Sequence, residues 1–508
     1  MKKTVKNLLI MAAVLIVLGA AALLLVLLPS GNEGEGENSS HLSSRVSSPE
    51  TEALTDLETE DVKAVSVKNA EDSFTIVPDG GTFILQGYGE YNLNTVSLAS
   101  AVRTLSAMTP SKSLGSQDNL ADFGLSGKDA VQVEIACGDG SKQSFVLGSP
   151  AGESVGRYVL KDNEVYIVPD IPDQLYGSKF GYFSPFLYSV ADRTETVTDE
   201  NGNTSSQAAS DILYELTLSG TNFPEEVKLE YSEDVLSMFL MTAPVRAESG
   251  NSGMEAVSAA LKAPSADAVV AAGVTDEVLE EYGLSEPFAK VEFTMNSDSH
   301  TMAVSELDLE NNRYLVLDDR DVIFKVSRSA VADWAETSAM KLRMSYIWLS
   351  NIMDVQHLTL TVDGDMVYRF DITRTLDEER STEDAPQYDL TVKNAGGKDV
   401  EYKNYQKFYQ NLIGTSVLSV DKTIVTDNGS DYVGVGIIPV KREDFEDEAL
   451  LRVEYSFFEG TEGSAKTTVE FFSIANDRCV ALLDGEFNGI VRKADVDKLI
   501  GQLAEAHG

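Results

Sequence analysis

DFGLSGKDAVQVEI, Asp122 to Ile135, and EYGLSEPFAKVEF, Glu281 to Phe293, are one phrase written twice. Each reads acid, aromatic, Gly, Leu, Ser, and each runs into residues that alternate apolar and polar. Alternation with period two belongs to a half-buried strand. The residues before the Gly read as helix: Asp118 to Phe123 as a short turn capped by Ser116, and DEVLEEY behind a Thr275 cap. Gly124 and Gly283 fall just past the last helical residue, where the chain turns left-handed and a Cβ clashes. Leu125 and Leu284 stand where a Schellman motif places its apolar contact. The phrase therefore reads as a helix stop joined to a strand start. A repeated active site would need nucleophiles or ligands at matched positions, and Phe123, Gly124, Leu125 and Tyr282, Gly283, Leu284 supply none.

Three longer segments fall into line around it. DVKAVSVKNAEDSFTIVPDGG, ILYELTLSGTNFPEEVKLEY and VQHLTLTVDGDMVYRFDI each read as a β-hairpin, with Asp79-Gly80-Gly81, Gly220 and Asp363-Gly364 as turn residues. A helix-like stretch follows each. Leu98, Val102 and Leu105 recur at helical spacing; Ser232 caps EDVLSMFLMTAP; Tyr405, Phe408, Tyr409 and Leu412 share a face that Gly414 ends. Further hairpins come next: VQVEIACGDGSKQSFVLGS then Arg157-Tyr158 onward, and KVEFTMNSDSHTMAVSE then Arg313-Tyr314 onward, closing in short helices near Asp173–Leu175 and Ser329–Trp334. The third segment lacks the Tyr-Gly-Leu phrase but keeps LRVEYSFFEGTEGSAKTTVEFFS and RCVALLDGEFNGIVRKADVDKLIGQL. The expected fold class is α+β: repeat units at 61–190, 210–350 and a divergent 352–506, each of antiparallel hairpins with short covering helices, stacked into an elongated body.

The chain holds 508 residues, enough for about three domains. Lys plus Arg total 40 and Asp plus Glu 82, a net charge of −42 that repels nucleic acid and anionic lipid and favours basic partners. Cys137 and Cys479 are too few for a disulfide framework and read as buried thiols, with a single bridge as the alternative. Leu8 to Leu28 carries no charge over 21 residues, enough for a helix across a bilayer core of about 30 Å. Lys2, Lys3 and Lys6 precede it, so residues 1–28 read as a cytoplasmic tip and anchor with the bulk of the chain outside the cell. A cleaved signal peptide is the competing reading, but its apolar core runs only about 7–15 residues. No cysteine follows for a lipid anchor, and Gly19 to Ala22 form a small-residue patch for helix packing or for lipid. Residues 29–60, rich in Gly, Ser and Glu, read as a disordered acidic stalk.

Candidate chemistry is thin. Ser338-Ala-Met-Lys341 has the S-x-x-K spacing of penicillin-binding enzymes, and Lys466-Thr467-Thr468 faintly echoes K-T-G, but no S-x-N supports them. His41, His300, His357 and His507 lack zinc-ligand spacing, with His300 expected in a turn and His357 in a strand. The acidic turns at Asp318-Asp319-Arg320-Asp321, Asp363-Gly364-Asp365 and Asp427–Asp431 miss the calcium-loop pattern and read as solvated turns. There is no Walker loop and no G-x-G-x-x-G after a strand. A carboxylate pair for glycoside cleavage cannot be picked from so many acids. No metal, cofactor or catalytic residue is expected.

The anchor, the stretch Asp61-Val62 to Val67, Phe123-Gly124-Leu125, the Gly138-Asp139-Gly140 turn, and Arg157-Tyr158-Val159 with Val165-Tyr166-Ile167 together resemble the bacterial family called domain of unknown function 4340. The resemblance covers roughly residues 61 to 345 and, more weakly, the third unit. It implies an extracytoplasmic accessory protein beside an ABC transporter of the gliding-motility auxiliary type, and it carries no catalytic residues over. A non-catalytic accessory or scaffold subunit is the expectation that follows. A surface module binding wall glycan would instead show an aromatic groove at a unit junction, and an envelope hydrolase would show converging carboxylates or a base beside Ser338.

Overall fold

Alternating burial runs through the strands of a computed structural model that describes residues 52–507, apart from 153–154, 199–202, 234, 236, 383–386, 428–432 and 460–465. In Val62–Lys68, Val62, Val65 and Val67 are buried while Lys63, Ser66 and Lys68 stay exposed or half-exposed. Such strands bury one face each and must pair edge to edge to satisfy their backbones. They do so in large antiparallel sheets, with 42% strand against 20% helix, so the body is mostly β with helices laid on it.

Three sheets of eight, nine and eight strands share one order through their central strands, and the first two add a far edge strand (Lys112–Gly115, Ala268–Ala272) that the described third sheet does not have. Each opening strand (Val62–Lys68, Leu213–Ser219, Val355–Val362) lies mid-sheet, paired on one side with its hairpin mate and on the other with a strand from far along the chain. Val65 faces Ile135, Leu216 faces Phe293 and Leu360 faces Val453. Each of these long-range pairings slips register near the start of the opening strand, between Val62 and Ala64, Leu213 and Glu215, and Val355 and His357. A bulge at one position bends each sheet at the same place.

A helix crosses each sheet after its third or fourth strand: α1 (Thr95–Ser106), α2 (Asn251–Lys262) and, beyond three more short helices, one at Tyr402–Ile413. Leu98, Val102 and Leu105 of α1 are fully buried, as their spacing predicts, each contributing about 2 kcal/mol. In the second sheet the crossing helix is α2, with Met254, Val257 and Leu261 buried. The helix expected behind Ser232 does not form: Phe239–Ala243 is a strand, pairing Met241 with Leu229 and Phe239 with Tyr231. Its apolar residues fit either period, and the open edge of Val227–Tyr231 decides for strand.

The remaining helices are α3 (Asp276–Glu281), α4 (Arg328–Ala335), α5 (Ala339–Leu342), α6 (Tyr402–Ile413) and α7 (Lys493–His507). Tyr405, Phe408, Tyr409 and Leu412 of α6 are buried together, and α6 packs on α7 with Asn411 bonding Gln502 at 3.1 Å. Buried residues of the first and second sheets form one continuous core that extends to Phe472, Val480 and Leu482 of the third; the helix-covered face of the third sheet has a core of its own.

Two boundaries shift. The stalk expected through residue 60 ends earlier, because Thr55 is buried, donates to the Leu105 carbonyl and accepts from Met108 N–H, while Leu54 and Leu57 pack on the core. The first short helix begins at Leu120, and Asn119, not Ser116, holds its cap position without a side-chain bond. The anchor at 1–28 and the rest of the stalk lie outside the described residues. Among the described residues no helix is long and apolar enough to cross a membrane.

Candidate functional site

The motif residues meet in space. Gly124 and Gly283 both take φ of +67°, and in both copies the next two amides bond back as a Schellman motif requires: Gly124 to Ala121 and Leu125 to Leu120, Gly283 to Glu280 and Leu284 to Leu279. Phe123 then meets Tyr158 edge-on at 4.9 Å, and Tyr282 meets Tyr314 at 4.8 Å. The Arg beside each Tyr points to the other face and pairs with the closing helix, Arg157 with Asp173 and Arg313 with Glu336 at 2.8 Å. Each guanidinium also lies 4.0 Å over a ring, Tyr176 or Phe288. These ten residues are therefore a latch that ties a helix stop to one sheet face and a closing helix to the other.

The third sheet drops the latch as a unit. Arg157, Arg313 and Cys479 hold the same register position, facing Val168, Val326 and Val491. A buried thiol replaces the cation there, and Val480 replaces the tyrosine, in the sheet that lacks the Tyr-Gly-Leu phrase. Both cysteines are free and buried, and burial pushes the Cys479 thiol up to about 12.

The other candidates serve structure. Ser338 caps α5 by accepting from Lys341 N–H, and the Lys341 ammonium donates to the Glu336 carbonyl. His300 sits within the strand Asp298–Val304, not in a turn, stacked on Tyr188 at 3.9 Å and bonded to Asp318. His357 lies in a strand as expected and pairs with Asp371; His507 ends α7. His41 and most of Asp427–Asp431 fall outside the described residues. Among the described residues no group of His, Cys, Asp or Glu is arranged to hold a metal.

The polar groups that sequence reasoning missed gather where sheets meet. Between the first and second, Arg320 donates to the carbonyls of Phe186 and Leu187, and Tyr91 donates to Asp321 at 2.7 Å. A cleft of about 590 Å³ opens there, and these groups are already engaged with one another. Between the second and third, Arg343 is 2% exposed and reaches no carboxylate; it donates to the backbone and side-chain oxygens of Asn488 and to the Tyr346 carbonyl. Asn488 in turn donates to the Arg246 carbonyl. A Cβ on Gly489 would come within 2.4 Å of Val417 and 3.3 Å of the guanidinium, so glycine keeps that approach open.

A second cleft, of about 490 Å³, lies beside Arg343. Glu248 on the edge strand Ala247–Glu248, Tyr346 to Leu349 in the connection, and Thr467 and Asp484 of the third sheet line it. Burial raises the Glu248 carboxyl above its ordinary range, against hydrogen bonds from Ser237. The one sequence signal for this site was SYIWLS, Ser345 to Ser350, an aromatic run at the very end of the expected second unit. Comparison with protein-family models, with curated proteins and with solved structures finds no match to this chain.

Proposed function

We propose that this chain is a membrane-anchored extracytoplasmic accessory or scaffold subunit of an ABC-type transport complex, acting by binding and without chemistry of its own. In this reading residues 8–28 hold it in the membrane, and three copies of one ancestral unit present surfaces outside. The observation that carries it is the fusion of the sheets. The half-buried Arg320 and the buried Arg343 bond across the two junctions, and one core runs from the first sheet into the third. A body joined in this way can hold partners at fixed spacing, whereas loosely tethered domains leave their relative motion free. The acidic charge, the apolar N-terminal run and the family resemblance support the placement.

The test is recovery of tagged full-length protein from membranes in mild detergent. A polytopic membrane protein and an ATPase should come with it in stoichiometric amounts, and an unrelated anchor in place of residues 1–28 should weaken that recovery. Recovery alone, from membranes in which such a complex is shown to survive, would remove the reading. A second reading, a surface module binding a glycan or other ligand, is favoured by the aromatic-walled cleft between the second and third sheets.

A further inference from the structure

The outer edges of the three large sheets are short or covered. The first sheet ends in strands of four residues, Thr82–Leu85 and Lys112–Gly115. The second ends in the two residues Ala247–Glu248 and in Ala268–Ala272, which lies against the Lys179–Tyr182 turn. The third ends in the two residues Asp399–Val400 and in Glu486–Arg492, whose Ile490 bonds Leu418 and Ser419 on its outer side. Edges of this kind give a strand of another chain little to pair with.

A ribbon between the first two units departs from that pattern. Thr194–Thr198 and Thr204–Ala208 pair with each other and, among the described residues, with no other strand. All ten residues are exposed, and five are β-branched. A lone two-stranded ribbon without a buried face is marginal in water. Its foot is nevertheless clamped. Lys262 pairs with both Asp192 and Asp211, and Asn296 donates to the Ala191 carbonyl and to Asp211. The fold therefore holds a strand-forming arm on a fixed base with both edges unpaired.

The register says what those edges offer. Ala209 N–H donates to the Arg193 carbonyl, so the hydrogen-bonded pairs inside the ribbon are Glu195 with Gln207 and Val197 with Ser205. The backbone N–H and C=O groups of Thr204, Ser206 and Ala208 then point outward. Their strand carries no charge, in a chain of which 24% is charged, whereas the other strand carries Glu195. A charged partner strand gains no ion pair there, and an identical strand meets no repulsion. Turned about a two-fold axis at Ser206, two copies set Thr204 against Ala208 and Ser205 against Gln207, and each outward donor meets an outward acceptor.

We propose that this chain self-associates by antiparallel pairing of Thr204–Ala208 with the same strand of a second copy, which joins the two ribbons into one sheet. The proposal does not rest on the transport reading. The test is disulfide trapping in purified, detergent-solubilised full-length chain under a mild oxidant. Cys137 and Cys479 are buried, so the parent should stay uncross-linked. Two Ser206→Cys residues would face each other with Cα atoms about 5.5 Å apart, within disulfide reach. Ser205→Cys and Gln207→Cys would each meet their own copy only diagonally, at about 7–8 Å, beyond that reach. Ser206→Cys should therefore form dimer at least about tenfold faster than either neighbour. Ala208→Pro removes an outward N–H that the ribbon does not use, and adding it to Ser206→Cys should slow trapping at least about tenfold with the urea midpoint unchanged. By sedimentation, Ser206→Pro should shift the parent's concentration-dependent dimer to monomer. No trapped dimer at Ser206→Cys overturns the proposal. So do equal rates at the three positions, as association through the N-terminal segment would give, and so does a dimer that Ser206→Pro leaves intact.

Discussion

Arg313 is 1% exposed, and Glu336 is the carboxylate that answers it. The same carboxylate accepts from Arg328, whose hydrogen bonds hold Glu336 below the usual carboxylate range; burial opposes this and Arg313 reinforces it. A depressed folded pKa stabilises the fold above the ordinary value of about 4.3, and that contribution drains away as pH falls through the folded value. Glu336→Gln should therefore lower stability at pH 7 by about 2 kcal/mol, leaving Arg313 with the Ser305 carbonyl and the Phe288 ring. The gap to the parent should be smaller at pH 3 than at pH 7. Urea titrations followed by tryptophan fluorescence at the two pH values check this, and a gap that widened in acid would contradict it. Where Cys479 replaces the arginine, no carboxylate is needed. Its raised pKa and full burial predict that a disulfide reagent at pH 8 modifies it at least about a thousandfold more slowly in the native chain than in urea.

At the scale of elements, the two Schellman stops share one backbone conformation in two different surroundings. A Cβ on Gly283 would lie 3.7 Å from Ser305, an ordinary contact, whereas one on Gly124 would lie 2.2 Å from the Ser149 hydroxyl and 2.8 Å from its backbone nitrogen. Gly283→Ala should cost only the left-handed penalty, about 1 kcal/mol, and Gly124→Ala at least about twice that, since backbone must also move. Equal losses in urea titrations would show that the strand end at Ser149 yields freely. These stops were legible because they depend on neighbours within six residues. So were the Asp-Gly turns, the α1 and α6 faces and the Thr275 cap, which accepts from Val278 N–H. The second crossing helix was not. NSGMEAVSAALK opens on Asn, Ser and Gly, poor formers with no acid among them, while EDVLSMFLMTAP follows the Ser232 cap candidate with two acids in its first turn. Packing chose otherwise, because Gly253 lets α2 sit where a Cβ would lie 2.7 Å from the Lys341 carbonyl. The stalk boundary was misplaced for a related reason: composition marks Leu54 to Glu60 as polar, yet the single buried Thr55 ties the segment down.

At the scale of the whole molecule, the candidate site was invisible in sequence because its members come from three distant stretches, Glu248, Trp348 and Thr467, brought together only when the third sheet docks. What docks it is also discontinuous. Arg343 sits in the connection and Asn488 in the last strand, and burial pulls the guanidinium down to about 10, so it stays charged at pH 7 with only neutral acceptors around it. An arginine so placed gains from several carbonyl bonds and specifies one docking geometry, since no other position offers the same acceptors. Arg343→Met keeps most of the length and removes every donor, orphaning the Asn488 and Tyr346 oxygens at a cost of about 2–4 kcal/mol. The helix-covered core of the third sheet is separate from the core shared by the first two, so that loss should fall on docking. In the parent, far-UV circular dichroism and Trp348 fluorescence should report one urea transition. In the variant the fluorescence change at the junction should come first, and protease should cut the connection around residues 343–350 before the sheets unfold. An Arg343→Met/Asn488→Ala double variant should lose clearly less than the sum of the single changes, because both remove the same bonds. Coincident, unshifted transitions in Arg343→Met would instead mean that apolar contact through Phe472, Val480 and Leu482 suffices to hold the third sheet in place.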